Sequence, residues 1–295
     1  MIAVRLQGRL GNQLFQYAFI FAASKKIDTR FYLDQCLEKS IVHQYFQIPK
    51  NNIETLSFFL NNISGYKNIF NYHLRKLINE CFVYFNHFKI KEYPFGEEGA
   101  NIEYTNKTLY AGYFQSILFM EPYENIIRGK LTIKKELSKY FHERFGSLYK
   151  NKTIVTVHVR RTDYKNLKHL NLGNHDLSLP LRYYNNALLE LKKEFDFKKD
   201  NLHFVFISDD AEFVAQNFFD FEPKTISKDR EIFDFQHLLN SDVCIISNSS
   251  FSWWGAWLNK KDKIIYCPKY YLGFHLKKQI PENIYPNEWR QIEFN

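Results

Sequence analysis

From residue 154 onward, short apolar runs alternate with segments of helical periodicity, and few folds accommodate that alternation. Strands are predicted over residues 154–160, 202–208, 243–247 and 264–267. Between them, helices are predicted over 180–195, with Pro180 in the first turn, after Asp209, over 231–239 and over 251–258. This order predicts a parallel sheet with helices on its faces. Ligands of such sheets collect at the carboxyl ends of the strands, so polar residues there carry most of the information.

The first half is less regular. It opens as a short βαβ unit: a strand over 2–6, a loop punctuated by Gly8 and Gly11, a helix over 14–23 and a strand over 30–33. Leu14, Phe15, Ala18, Phe21 and Ala22 set the helical spacing. Between 40 and 104 the pattern loosens, with irregular helices expected around 55–60 and 74–82. A strand over 109–114 and a helix over 134–145 close this half, and residues 146–152 read as a boundary. The expected division is an irregular, Rossmann-like domain over 1–148 and a regular one over 149–295, two halves facing a cleft.

Forty basic side chains against thirty-two acidic ones leave a formal charge of +8, which favours phosphorylated partners or an anionic membrane surface. The bases lie in scattered pairs, such as Lys134 and Lys135 or Lys192 and Lys193, which argues against nucleic-acid binding. Cys36, Cys81, Cys244 and Cys267 lie far apart, so neither a zinc site nor a disulfide framework is expected. Met1 opens directly on a strand-like run, and no stretch approaches the apolar length of a spanning helix. A cytoplasmic protein is expected, with room for peripheral contact at the inner face of the membrane. The sequons at Asn62, Asn106, Asn151 and Asn248 then read as chance matches.

Four constellations carry the chemistry. The first is the loop 7–13, where Gly8, Arg9, Gly11 and Asn12 stand between a strand and a helix. It suits a helix-start anion site or a tight structural turn equally, since it lacks both the dinucleotide fingerprint and the P-loop lysine. The second is His158-Val159-Arg160-Arg161-Thr162-Asp163-Tyr164 at a strand's end. Strand alternation puts His158 and Arg160 on one face and Arg161 on the other. A guanidinium fork matches paired phosphate oxygens, although an intramolecular ion pair is the plainer account. The third is Ser208-Asp209-Asp210, where Asp209 fits a helix cap and either carboxylate could meet a guanine edge. No carboxylate cluster accompanies the pair, so no metal is expected. The fourth is Ser247-Asn248-Ser249-Ser250-Phe251-Ser252-Trp253-Trp254-Gly255, a hydroxyl-rich turn entering a helix. Its hydroxyls and amides would cradle phosphate, Gly255 would allow close packing, and Trp254 and Trp257 read as core. Together the four describe a diphosphate site.

These segments, in this order, resemble the α-1,2-fucosyltransferase family (glycosyltransferase family 11) that bacteria share with the animal blood-group H enzymes. The resemblance rests on 11–17, 158–164, 208–210 and 247–255, with a further piece at 112–116, and is weakest over 40–101. It implies a GT-B-like α/β fold and inverting, metal-independent transfer of L-fucose from GDP-fucose. The implied acceptor is the 2-hydroxyl of a terminal β-galactoside, in an oligosaccharide or a lipid-linked precursor of a surface glycan such as O-antigen. Arg160 and Arg161 would bind the diphosphate, and His158 and Asp163 would shape that site. Ser249, Ser250 and Phe251 would form a second nucleotide-contacting turn, and Asn12 would lie across the cleft near the fucose. Arg9 departs from the glycine of many relatives. His158 and Asp163 are both candidates for the general base and both suit a structural role beside the arginines. A fucosyltransferase of another linkage, or a non-catalytic nucleotide-sugar-binding protein, is the alternative.

Overall fold

The computed structural model describes residues 1–62, 68–96, 102–197, 199–261 and 263–294, which form two compact α/β units. The first comprises Met1–Lys134 with Pro281–Asn283, and the second Lys135–Ile280 with Ile284–Asn295.

In the first unit, strands β1 (Ile2–Arg5), β2 (Phe31–Asp34), β3 (Lys89–Glu92) and β4 (Thr108–Ala111) form a parallel sheet ordered β2-β1-β4-β3. Helix α1 (Leu10–Lys26) is buried on nearly every side, Gln13 and Gln16 included. A helix apolar all round belongs inside a core, which is why its amphipathic signal is weak. Helices α2 (Ile41–Tyr45), α3 (Asn52–Asn62), α4 (Asn68–Phe85) and α5 (Glu124–Lys130) complete the unit. The irregular helices expected here are longer than their apolar patches, because α3 and α4 extend through Asn-rich sequence. Strand β3 had no sequence signal: it is exposed, polar and only four residues long.

The second unit holds β5 (Thr153–Val159), β6 (Leu202–Ser208), β7 (Lys224–Ile226), β8 (Val243–Ile245), β9 (Ile264–Pro268) and β10 (Arg290–Ile292). All pair in parallel, in the order β10-β9-β8-β5-β6-β7. Counted from β5, this is the 3-2-1-4-5-6 order of a Rossmann sheet, read from the β7 edge. Both faces of β5 and β6 are covered, which explains their nearly unbroken apolar runs. Helices α6 (Lys135–Phe145), α7 (Leu181–Glu194), α8 (Ala211–Asn217), α9 (Glu231–Asn240) and α10 (Ser250–Leu258) surround it. Pro180 is the residue just before α7 rather than part of its first turn.

Two expectations need correction. The helix expected to close the first half, α6, belongs to the second unit, where Tyr140 stacks on Phe233 and Phe141 meets His237 of α9. Strand β5 stops at Val159, so Arg160 lies outside the strand alternation that had paired it with His158. Cys244 and Cys267 are buried thiols as expected, and burial pushes Cys244 up to about 12. Among the described residues, no helix is long and apolar enough to cross a membrane.

Candidate functional site

The order of the second sheet reverses between β5 and β8, and that is where the second and fourth constellations stand. Strands flanking such a switch point send their connections to opposite faces, which leaves a crevice at their carboxyl ends. His158 and Ser247 span it: the imidazole Nδ1 lies 2.8 Å from the Ser247 hydroxyl. His158 is buried and its ring approaches Phe251, with centroids 5.6 Å apart. Burial, with Arg160 nearby, lowers its pKa to about 3, so the ring is neutral at ordinary pH.

Beyond β5 the chain turns sharply, and Asp209 holds the turn. Its carboxylate accepts from the backbone N–H groups of Arg161 (2.9 Å) and Thr162 (3.1 Å) and from the Thr162 hydroxyl. Arg160 donates to Asp163 at 2.7 Å and lies 3.4 Å from Asp209. The Arg161 guanidinium lies over the Phe213 ring at 3.7 Å, with its Nε 3.4 Å from Asp210. Burial opposes the Arg160 charge, but Asp163 and Asp209 outweigh it and hold the pKa above its ordinary value. Burial likewise opposes ionisation of Asp209, yet Thr162, Arg160 and the two amides hold it below the usual carboxylate range. The intramolecular pairing is therefore real. It also fixes both forks in place.

The cap assignment shifts by one residue. Asp210, not Asp209, caps α8, accepting from the Phe213 N–H at 3.0 Å. Its own N–H donates to the Ser208 hydroxyl at 2.9 Å. Asp209 is instead committed to the arginine turn, a role set by tertiary contact across 48 residues of sequence. Lys165 adds a third cation, 3.8 Å from Asp210.

Ser249 caps α10, accepting from Phe251, and Ser250 begins the helix. Asn248 is fully buried and donates to the Leu177 carbonyl at 2.8 Å, so that sequon has a structural use. Tyr164, to which sequence assigned no role, donates its hydroxyl to the Asn248 carbonyl at 3.2 Å. Its ring also receives the Arg160 guanidinium at 5.8 Å. Tyr164 thus ties the arginine turn to the serine turn; its place inside the motif was the available signal. Asp234, in the first turn of α9, was also missed: burial pushes it up to about 7, against a hydrogen bond from Ser227.

In the first unit the sheet reverses between β1 and β4, and the first constellation meets the 112–116 segment there. Gln115 donates to the side-chain Oδ1 of Asn12 at 2.9 Å, and Gln16 donates to the backbone carbonyl of Gly112 at 3.0 Å. Gln13 donates to the carbonyls of Gly8 and Lys39 and accepts from Ile41. Gly8 has φ +74°, and a Cβ there would fall 2.4 Å from the Asn12 amide nitrogen. Arg9 precedes α1 without a side-chain cap, and Gly11 lies buried within the helix. Much of this motif is loop bracing. Among the described residues, no group of three or more His, Cys, Asp or Glu side chains could hold a metal ion.

The family profile described as Glycosyl transferase family 11 matches residues 1–293. The chain belongs to that family. This family 11 chain is 28% identical to an α-1,2-colitosyltransferase of Escherichia coli over 278 residues, covering 89% of each chain. It is 27% identical to the O-antigen biosynthesis glycosyltransferase WbnK of Escherichia coli over 299 residues, covering 93% of this chain and 96% of that one. Among solved structures, fucosyltransferase NodZ from Bradyrhizobium superposes with a TM-score of 0.52 at 12% identity, over 86% of this chain and 91% of that one. NodZ has also been solved as an α-1,6-fucosyltransferase soaked with GDP-fucose. At that identity the likeness shows the fold alone: a GT-B-like glycosyltransferase built from two α/β units.

Proposed function

We propose that this family 11 glycosyltransferase moves L-fucose from GDP-fucose to a glycan, inverting the fucose carbon without a metal ion. The observation that carries the reading is the Rossmann switch point flanked by two fixed arginines on one side and a serine-capped helix start on the other. As the sugar–phosphate bond breaks, charge gathers on the diphosphate, and donors fixed beforehand stabilise it without reorganising. Arg160 and Arg161 meet that requirement, since Asp163, Asp209 and Asp210 hold them before any ligand arrives. The second unit is accordingly assigned the donor and the first unit the acceptor.

The acceptor hydroxyl must also lose a proton. His158 is neutral but only 4% exposed, with Nδ1 on Ser247. Asp163 has a side chain 42% exposed, so it is the more accessible of the two proton acceptors.

For the linkage, we favour the 2-hydroxyl of a terminal β-galactoside. The resemblance of the motifs and the α-1,2 linkage in the name of a relative support it. Fold likeness to an α-1,6-fucosyltransferase makes another linkage the second reading. Incubation with GDP-fucose and a panel of β-galactosides, followed by NMR assignment of the product, separates them. A 1,2-linked product is expected; another linkage replaces that assignment. Tight GDP-fucose binding with no product from any acceptor would favour a non-catalytic binding protein. The transfer rate should survive excess EDTA, and strict dependence on a divalent ion would overturn the metal-free step. We place the reaction on the cytoplasmic side, where a lipid-linked acceptor would be met at the membrane surface.

A further inference from the structure

Helix α1 presents one strip of side chains to the segment that follows β4. Asn12, Gln16 and Phe19 are four and three residues apart, so they share a face of the helix. Each holds one residue of the segment. Phe19 stacks on Phe114 with ring centroids 3.8 Å apart, Gln16 donates to the Gly112 carbonyl, and Asn12 accepts from Gln115. The first two contacts are core packing. The third stands apart in three respects. Asn12 is the one residue between Leu10 and Ser24 that is not buried. It lies in the first turn of the helix, beside the switch point of the first sheet, where open sheets receive ligands. Gln115, only 5% exposed, has a side-chain Oε1 with no hydrogen-bond partner among the described residues.

The segment carries two features that cost stability. Phe114 has φ +53°, a left-handed conformation that an aromatic residue rarely adopts. A buried carbonyl oxygen without a donor is also unfavourable, and an apolar side chain of similar size at 115 would avoid it. What Gln115 contributes is one bond. Its Nε2 commits the Asn12 Oδ1, and the Asn12 amide nitrogen sits against Gly8, where a Cβ would collide with it. The Asn12 amide is thereby set with its oxygen toward Gln115 and its nitrogen away. A sugar oxygen that meets Asn12 on that side meets an N–H donor.

We propose that Gln115 is a positioning residue for transfer: it acts through Asn12, fixing that amide as a donor to an oxygen of the sugar. The inference rests on the sugar-transfer reading above. Gln115→Met keeps the length of the side chain but cannot donate. With both substrates saturating, its kcat should fall roughly ten- to hundredfold. Its melting temperature should hold or rise, because the unsatisfied carbonyl is gone, and its affinity for GDP by calorimetry should match the parent's. Gln115→Glu accepts but does not donate when ionised, so it should turn the Asn12 amide end for end and lose at least as much. In an Asn12→Ala background, Gln115→Met should cause no further loss, since the residue it acts through is absent. A melting temperature or GDP affinity that falls along with the activity of Gln115→Met would make Gln115 structural and overturn the proposal. So would losses that add in the double variant, or a parent-like kcat in either single variant at 115. These outcomes, in a parent chain that transfers fucose, overturn this inference alone. A parent chain that transfers fucose to no acceptor overturns the fucosyl-transfer reading and this inference with it.

Discussion

Arg160 meets any ligand already engaged with two carboxylates, and this sets what its removal should do. Truncation to alanine leaves Asp163 and Asp209 without a shared cation, but Asp209 keeps its bonds from Arg161 and Thr162. The turn should therefore persist. Arg160→Ala is expected to lower kcat/KM roughly 10²–10³-fold, the usual loss for one donor at a site of developing charge, with little change in melting temperature. Arg160→Lys should fall between, keeping charge but losing the planar fork. Full activity in the alanine variant would sink the diphosphate assignment.

Among the elements, α10 shows how closely the site depends on packing. A Cβ on Gly255 would fall 2.6 Å from the Leu238 Cβ on α9, so the two helices touch where only glycine fits. Gly255→Ala gains about 1 kcal/mol of helix propensity but overpacks this contact by about 1–3 kcal/mol. A net fall in melting temperature is expected, partly recovered by adding Leu238→Ala; a rise in the single variant would show that the helices separate without strain. This contact was half legible in the sequence: Gly255 signalled close approach, while Leu238 as its partner did not show. The same holds more widely. The strands β5, β6, β8 and β9 were readable because burial on both faces makes them continuous apolar runs. Strands β3, β7 and β10 were missed because edge strands of three or four partly exposed residues carry no such run. In the site, residue types at strand ends were legible. The exchange of roles between Asp209 and Asp210 was not, since it depends on which carboxylate reaches a turn distant in sequence.

At the scale of the whole molecule, both units bury neutral histidines. Burial lowers His158 to about 3 and His43 and His237 to about 4, from an ordinary value of 6.5. Below pH 6.5 the unfolded chain takes up protons that the folded chain refuses, so stability falls on acidification by about 1.4 kcal/mol per pH unit for each such group. Asp234 acts oppositely: raised to about 7, it binds its proton more tightly when folded and gains stability over part of the same window. Burial also lowers His203, and it raises Asp34 and Glu54 in the same sense as Asp234, so four histidines act against three carboxyls and the denaturant midpoint should fall from pH 7 to pH 5. A flat or rising midpoint would show that these rings are reached by water.

The membership of residues 281–283 has a consequence for biosynthesis. Ile117 donates its backbone N–H to the Asn283 carbonyl at 2.9 Å, so the first unit is clasped by residues that follow most of the second unit in sequence. During translation, the unit that leaves the ribosome first must wait for that clasp until residues 281–283 have been made. Domains commonly fold in the order of their synthesis. Here the earlier unit can be completed only after most of the later one has emerged, so a nascent chain stalled before residue 281 carries an unfinished amino-terminal unit however long it waits.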